Sequence, residues 1–332
     1  MADAVHDLSG GADVLLRMQE VAEQALGSYD VAPGSTASLL NVSENATYRV
    51  DQPDAPSLIL RLHRLGYHSR DAIASELAWL AAVARDTGIR TPVVVSARTG
   101  EAVVAVADGS RHAVMFELIP GAEPSEDHLV RDFEPLGALT ARLHEHAVRW
   151  QPPARFTRFS WDYEAAFGAQ PRWGRWADGV GVGAQEREVL GRLDTTIRQR
   201  LRAYGQDRDR FGLIHADLRL ANLLVDGETT AVIDFDDCGT GWFLYDVGAA
   251  VSFMEHYPQV PEMIDAWQRG YRTVRPLSQA EEDEIWTFVL FRRLLLVAWI
   301  GSHSAADIAQ QLGAGYTAGS CELAEAYLSA HA

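Results

Sequence analysis

Apolar side chains recur at helical spacing over residues 11–26, at Val14, Leu15, Met18, Val21, Ala22 and Ala25, and the run stops near Gly27. That period predicts an amphipathic helix. Over residues 36–63 the pattern becomes strand-like: TASLLNV and ATYRV flank SEN, and the turn-rich DQPDAP leads into SLILRLH. Ser69 is placed to cap a helix running to about Asp86, with Gly88 just past its end. EAVVAVA and HAVMFELI, joined by DGSR, read as two further strands. Beyond residues 120–121 the character changes. A helix is expected near 126–146, then an irregular tryptophan-rich stretch, then a second helix over Ala184–Tyr204. Two short apolar strands follow, FGLIHAD and TAVIDF, and the chain from about Tyr245 onward reads as largely helical. The most apolar run, near 289–300, carries Arg292 and Arg293 and reads as a buried helix rather than a bilayer span. The plan is α+β with two lobes: a small β-rich one over 1–118 and a larger helical one over 119–332, with a hinge near 117–121.

Composition narrows the setting. The 332 residues suffice for one large or two modest domains, and 47% hydrophobic with 23% charged residues is ordinary for a soluble globular chain. A net charge of −17 argues against nucleic-acid or anionic-membrane partners. Both lobes are acidic, so charge alone does not locate a site for a cationic substrate. The opening residues lack the basic start and apolar core of a signal peptide, and two cysteines, Cys238 and Cys321, make neither a disulfide framework nor a metal cluster. The expectation is a cytoplasmic protein. All 29 basic residues are arginine, so any task that usually falls to lysine must fall to arginine here.

Chemistry concentrates in GLIHADLRLANLLVDGETTAVIDFDD, residues 212–237. His215, Asp217 and Asn222 form an H-x-D-x-x-x-x-N pattern, and Asp234 lies at the end of the next strand. Phosphoryl transfer from ATP needs a carboxylate to orient the attacking hydroxyl and accept its proton, and oxygen ligands to hold Mg2+ against the phosphates. Asp217 suits the first task; Asn222 and Asp234 suit the second. The turn at Asp226 and Gly227 lets the second strand fold back on the first, which would bring Asp234 beside Asn222. With Asp217 filling the base role, His215 fits a brace of the catalytic loop better than a second catalyst.

This segment resembles the catalytic core of the aminoglycoside phosphotransferase superfamily, which includes choline kinases and type II homoserine kinases. It is similar to that family's H-G-D-x-x-x-x-N and I-D-W or I-D-F motifs, with Ala216 where glycine is usual. The resemblance implies a protein-kinase-like fold, Asp217 as catalytic base, and Asn222 and Asp234 as magnesium ligands. Asp236 resembles a second acidic ligand found in some members; alternatively Asp236 and Asp237 brace the following turn. Asp246 in LYDVG resembles a buried aspartate that supports the loop. Relatives aim a strand-borne basic residue, paired with a helix glutamate, at the ATP phosphates. Arg61 and Glu76 fill those places, with His63 and Arg64 as neighbours that could substitute. Ser43, Glu44 and Asn45 would face phosphate or form a plain hairpin turn, and the Glu117 carbonyl and Ile119 amide would read the adenine edge.

The acceptor is expected to be a hydroxyl-bearing small molecule: an aminoglycoside-like antibiotic, an amino alcohol or an amino acid. Trp161, Tyr163, Phe167, Trp173 and Trp176 suit either a wall for an amine or sugar, by stacking or cation–π contact, or simply a core. A catalytically weak pseudokinase, acting as a nucleotide- or protein-binding module, is the alternative reading. A protein kinase is disfavoured because FDDCGTGWFLYDVG leaves no room for an activation segment.

Overall fold

The computed structural model describes residues 12–42, 45–303 and 306–331. It divides into two compact units, one running through Arg85 with Arg90–Gly121 and Pro152–Thr157, the other comprising Asp86–Ile89, Ala122–Gln151 and Arg158–Ala332. The β-rich first part and helical second part agree with the α+β reading.

In the first unit, β1 (Thr36–Val42), β2 (Asn45–Gln52), β3 (Ala55–His63), β4 (Val94–Val95), β5 (Val104–Val106) and β6 (Arg111–Glu117) form one antiparallel sheet. The order is β1-β2-β3-β6-β4, with β5 also paired to β6. The period of two along a strand sorts its side chains to opposite faces. Leu60, Leu62, Ala113 and Met115 join Met18, Ala22, Ala25 and Leu26 of α1 (Ala12–Leu26) in one core. On the other face Val114 and Phe116 meet Ile73 and Leu77 of α2 (Arg70–Thr87), with Ile59 half-buried beside them. Arg61, two residues from Ile59, is thereby aimed at α2.

The second unit is a helical body around α9 (Ile285–Ser302), which is apolar on every side and buried over 287–300. It is packed by α5 (Ala184–Tyr204), α6 (Tyr245–Ala250) and α10 (Asp307–Ala330). The short α4 (Tyr163–Phe167) and α8 (Gln279–Glu282) precede α5 and α9 in the chain. α3 (Leu129–Arg149) crosses α7 (Val260–Arg272) at two glycines: a Cβ on Gly137 would sit 2.0 Å from the Trp267 carbonyl oxygen, and one on Gly270 would sit 1.8 Å from that of Glu134. Arg293 ties α9 to its surroundings. Its Nη1 is 2.6 Å from Glu255 Oε2, its Nε donates to Ser320 Oγ at 2.7 Å, and its Nη2 donates to the Tyr316 carbonyl at 3.1 Å.

Two small ribbons carry the motif segment, and their pairing differs from the expected one. β7 (Phe211–Ile214) pairs with β10 (Gly239–Trp242), whereas β9 (Thr229–Val232) folds back on β8 (Leu223–Asp226). The turn after Asp226 is where the sequence places it. Its partner strands, however, are LLVD and TTAV rather than FGLIHAD and TAVIDF. The β10 sequence GTGW has two glycines and no alternation, so nothing local advertises it as a strand.

Candidate active site

The loop after β7 opens with His215, Ala216 and Asp217. Ala216 has φ +67°, a left-handed conformation that costs an L-residue about 1–2 kcal/mol, which gives a physical reason for the glycine usual there in relatives. Asp246, fully buried on α6, holds this backbone in place. Its Oδ1 accepts from the Ala216 amide at 2.7 Å, and its Oδ2 accepts from the His215 amide at 3.2 Å. His144 Nε2 lies 3.0 Å from the same Oδ2, so that nitrogen carries the proton, and Nδ1 accepts from the Tyr271 hydroxyl at 2.9 Å. His215 is spent on the backbone: Nδ1 accepts from the Asp217 amide at 3.3 Å and Nε2 donates to the Ile233 carbonyl at 3.1 Å.

Asp217 and Asn222 are joined directly. Asn222 Nδ2 donates to the Asp217 carbonyl at 2.7 Å and to its Oδ2 at 2.9 Å. With both amide hydrogens committed, the Asn222 side-chain oxygen is directed away from Asp217 as an acceptor. The Ile233 amide donates to the Asn222 carbonyl at 2.9 Å, which brings the next residue, Asp234, alongside. Asp234 is exposed, with φ +59°, at the point where the chain leaves β9. Asp236 is buried. The turn that contains it is clamped by Arg158, which donates to the Asp236 and Cys238 carbonyls, and by Trp161 Nε1, which donates to the Asp237 carbonyl at 2.7 Å. The backbone bond from Ile233 to Asn222 thus brings the Asn222 and Asp234 segments side by side.

Sequence reasoning missed one residue here. Arg292, from the middle of α9 and 2% exposed, reaches Asp217: its Nη2 is 2.9 Å from Oδ1. Nη1 donates to the Tyr245 hydroxyl at 2.8 Å and Nε to Ser252 Oγ at 3.2 Å. The guanidinium lies over the rings of Trp173 and Tyr245. Burial works against its charge, but Tyr245 and Asp217 more than offset it and raise its pKa above the ordinary arginine value. The reach depends on Gly248, where a Cβ would sit 2.5 Å from the Phe288 carbonyl oxygen. The available signal was a pair of arginines in a helix with no solvent-facing side, since a buried charge requires a partner. Of the aromatic residues singled out, Trp161 and Trp173 are buried and contact each other, and Phe167 stacks edge-on against Phe291 of α9.

In the first unit, Arg61 Nη2 contacts both carboxylate oxygens of Glu76, at 2.7 and 2.9 Å, with both side chains almost wholly buried. Asn45 is buried, and its Oδ1 accepts from the Arg64 amide at 3.3 Å, which joins the start of β2 to the end of β3. Ser43 and Glu44 lie outside the described residues. Glu117 ends β6 with an exposed side chain and its amide donates to the Val93 carbonyl at 2.9 Å; Ile119, two residues on, is half-buried.

His144 gives the site a pH dependence. Burial, outweighing its hydrogen bond to Asp246, lowers its pKa below the ordinary 6.5. The unfolded chain therefore takes up a proton that the folded protein resists, so stability falls as pH drops from about 6.5. Thermal midpoints measured from pH 8 to pH 5 are expected to fall more steeply for the native protein than for His144→Gln. Parallel curves would show that His144 does not contribute.

Kinases use an amide and carboxylates near one another to move a phosphoryl group from nucleotide to alcohol, and the loop after β7 joins Asp217 to Asn222 directly. The chain belongs to the phosphotransferase enzyme family, whose model matches residues 37–281. It is similar to a microcompartment-associated aminopropanol kinase, with 52% identity, a TM-score of 0.88, and coverage of 94% of this chain and 98% of that one. It is also similar to the amicoumacin kinase of Bacillus subtilis (strain 168), 26% identical over 293 residues that span 84% of this chain and 83% of the relative. A second amicoumacin kinase, hAmiN, solved with AMP-PNP, Ca2+ and Ami, shares the fold at a TM-score of 0.76 and 24% identity, covering 95% of each chain. The protein is a phosphotransferase that acts on a hydroxyl group of a small molecule, in a family whose chemistry draws on a nucleotide and a divalent cation.

Proposed function

We propose that the acceptor is a small amino alcohol of the aminopropanol type, phosphorylated with ATP and Mg2+. The observation that carries this reading is the 52% identity, over nearly the whole of both chains, to an aminopropanol kinase. Asp217 orients the acceptor hydroxyl and takes its proton as the oxygen attacks the γ-phosphorus; the bond from that phosphorus to the bridging oxygen breaks, and ADP leaves. Asn222 and Asp234 hold Mg2+, which when bound neutralises charge on the transferring phosphate. Asp236 lies close by in sequence, but its turn is clamped, and bracing is the role its surroundings favour. Arg61, fixed by Glu76, meets the phosphates in place of the usual lysine, and Glu117 and Ile119 offer backbone groups to adenine. His215 serves as a brace.

The test is a coupled ADP-release assay across aminopropanols, ethanolamine-like amino alcohols, hydroxy amino acids and aminoglycosides. An aminopropanol is expected to give kcat/KM at least about 100-fold above the aminoglycosides, a gap of about 2.7 kcal/mol in transition-state binding. Preference for an aminoglycoside or a hydroxy amino acid overturns the assignment.

A further inference from the structure

Two adjacent arginines sit in the largely buried helix α9, and they do different things. Arg293 is satisfied by Glu255, Ser320 and the Tyr316 carbonyl, a set that links α9 to α10 and the 250s and contains no residue of the site. Arg292 is satisfied by Ser252, Tyr245 and Asp217. An unpaired buried guanidinium costs several kcal/mol, so each arginine needs its acidic partner. Only one of the two has been given a partner that faces the reaction.

The placement is specific. Ser252 and Tyr245 hold two of the three guanidinium nitrogens, and the Trp173 and Tyr245 ring centroids lie 5.1 and 5.6 Å from its central carbon. The third nitrogen is then presented to Asp217 Oδ1 at 2.9 Å, while Asn222 Nδ2 takes Oδ2 at 2.9 Å from the other side. Arg219 Nε approaches the same carboxylate at 3.3–3.4 Å. A carboxylate held at both oxygens cannot rotate about its terminal torsion, which is otherwise broad. Its outward lone pairs then point one way.

The geometry points to Arg292 as a positioning residue for the proton acceptor: its fork, anchored by Tyr245 and Ser252, locks the rotamer in which Asp217 meets the acceptor hydroxyl. This rests on the reading of Asp217 as the base. Lysine cannot replace it, because a single ammonium lacks the planar fork that reaches Ser252, Tyr245 and Asp217 at once.

The experiment is a double-mutant cycle on kcat with Arg292→Lys and Asp217→Asn, with Arg293→Lys as a control and Tyr245→Phe as a second route to the same guanidinium. Arg292→Lys is expected to lower kcat at least about tenfold with KM for ATP and for the acceptor within about threefold, and to add less than about twofold in the Asp217→Asn background. Tyr245→Phe is expected to lower kcat two- to tenfold, and Arg293→Lys to lower the thermal midpoint while leaving kcat per folded molecule unchanged. A native-like kcat in Arg292→Lys, or an equal loss in the Asp217→Asn background, overturns the inference. If Arg292→Lys does not fold, a native kcat in Tyr245→Phe overturns it. Full activity in Asp217→Asn alone instead overturns the assignment of the base, which separates the two failures.

Discussion

Asp217→Asn is expected to lower kcat by between about 10²- and 10⁴-fold, the range usual for loss of a positioned general base. The substitution keeps the shape of the side chain, removes the charge and the capacity to take a proton, and turns one acceptor oxygen into a donor. The new amide oxygen can still accept from Arg292, but its NH2 group then faces Asn222 Nδ2, donor against donor, where the native contact is 2.9 Å. That mismatch and the loss of the charge facing buried Arg292 cost about 3–5 kcal/mol of stability, so kcat is referred to the folded fraction of the variant. Steady-state kinetics and a thermal melt on one preparation separate the two effects. A kcat within threefold of native in a folded variant would remove Asp217 from the chemistry.

Asp246→Ala is expected to cost about 3–5 kcal/mol of folding stability, measured by urea unfolding. The native carboxylate is fully buried and accepts from three donors: the His215 amide, the Ala216 amide and His144 Nε2. Alanine leaves all three in a dry interior, each at about 1–3 kcal/mol less whatever relaxation recovers. It also releases the backbone that holds Ala216 at positive φ, so turnover falls along with stability. Asp246→Asn retains one acceptor oxygen and should lie between native and alanine. A loss below about 1 kcal/mol in Asp246→Ala would mean that the loop is held by other contacts.

The parts of this molecule written in local pattern were legible in the sequence. Helix Ala184–Tyr204 and the strand ending at His63 follow from periodicity, and type and spacing single out Asp217, Asn222 and Asp234 as candidates. The pairing of Arg61 with Glu76 came from the resemblance to the family, and the two side chains do meet. What was not legible depends on contacts between distant segments. β10 is a strand because β7 offers its edge, not because GTGW prefers to extend. Arg292 lies 75 residues from its carboxylate, and periodicity shows only that it is buried. His144 looks like any other histidine on an amphipathic helix until Asp246 and Tyr271 close around it.

At position 248 the chain has room for a hydrogen and nothing larger, because the neighbouring helix backbone lies where a methyl would be. The separation of those two helices sets how far a guanidinium must stretch to hold the carboxylate. A backbone atom that never meets acceptor or nucleotide is in this way bound to the enzyme's chemistry, and any redesign of the acceptor pocket has to leave that spacing alone.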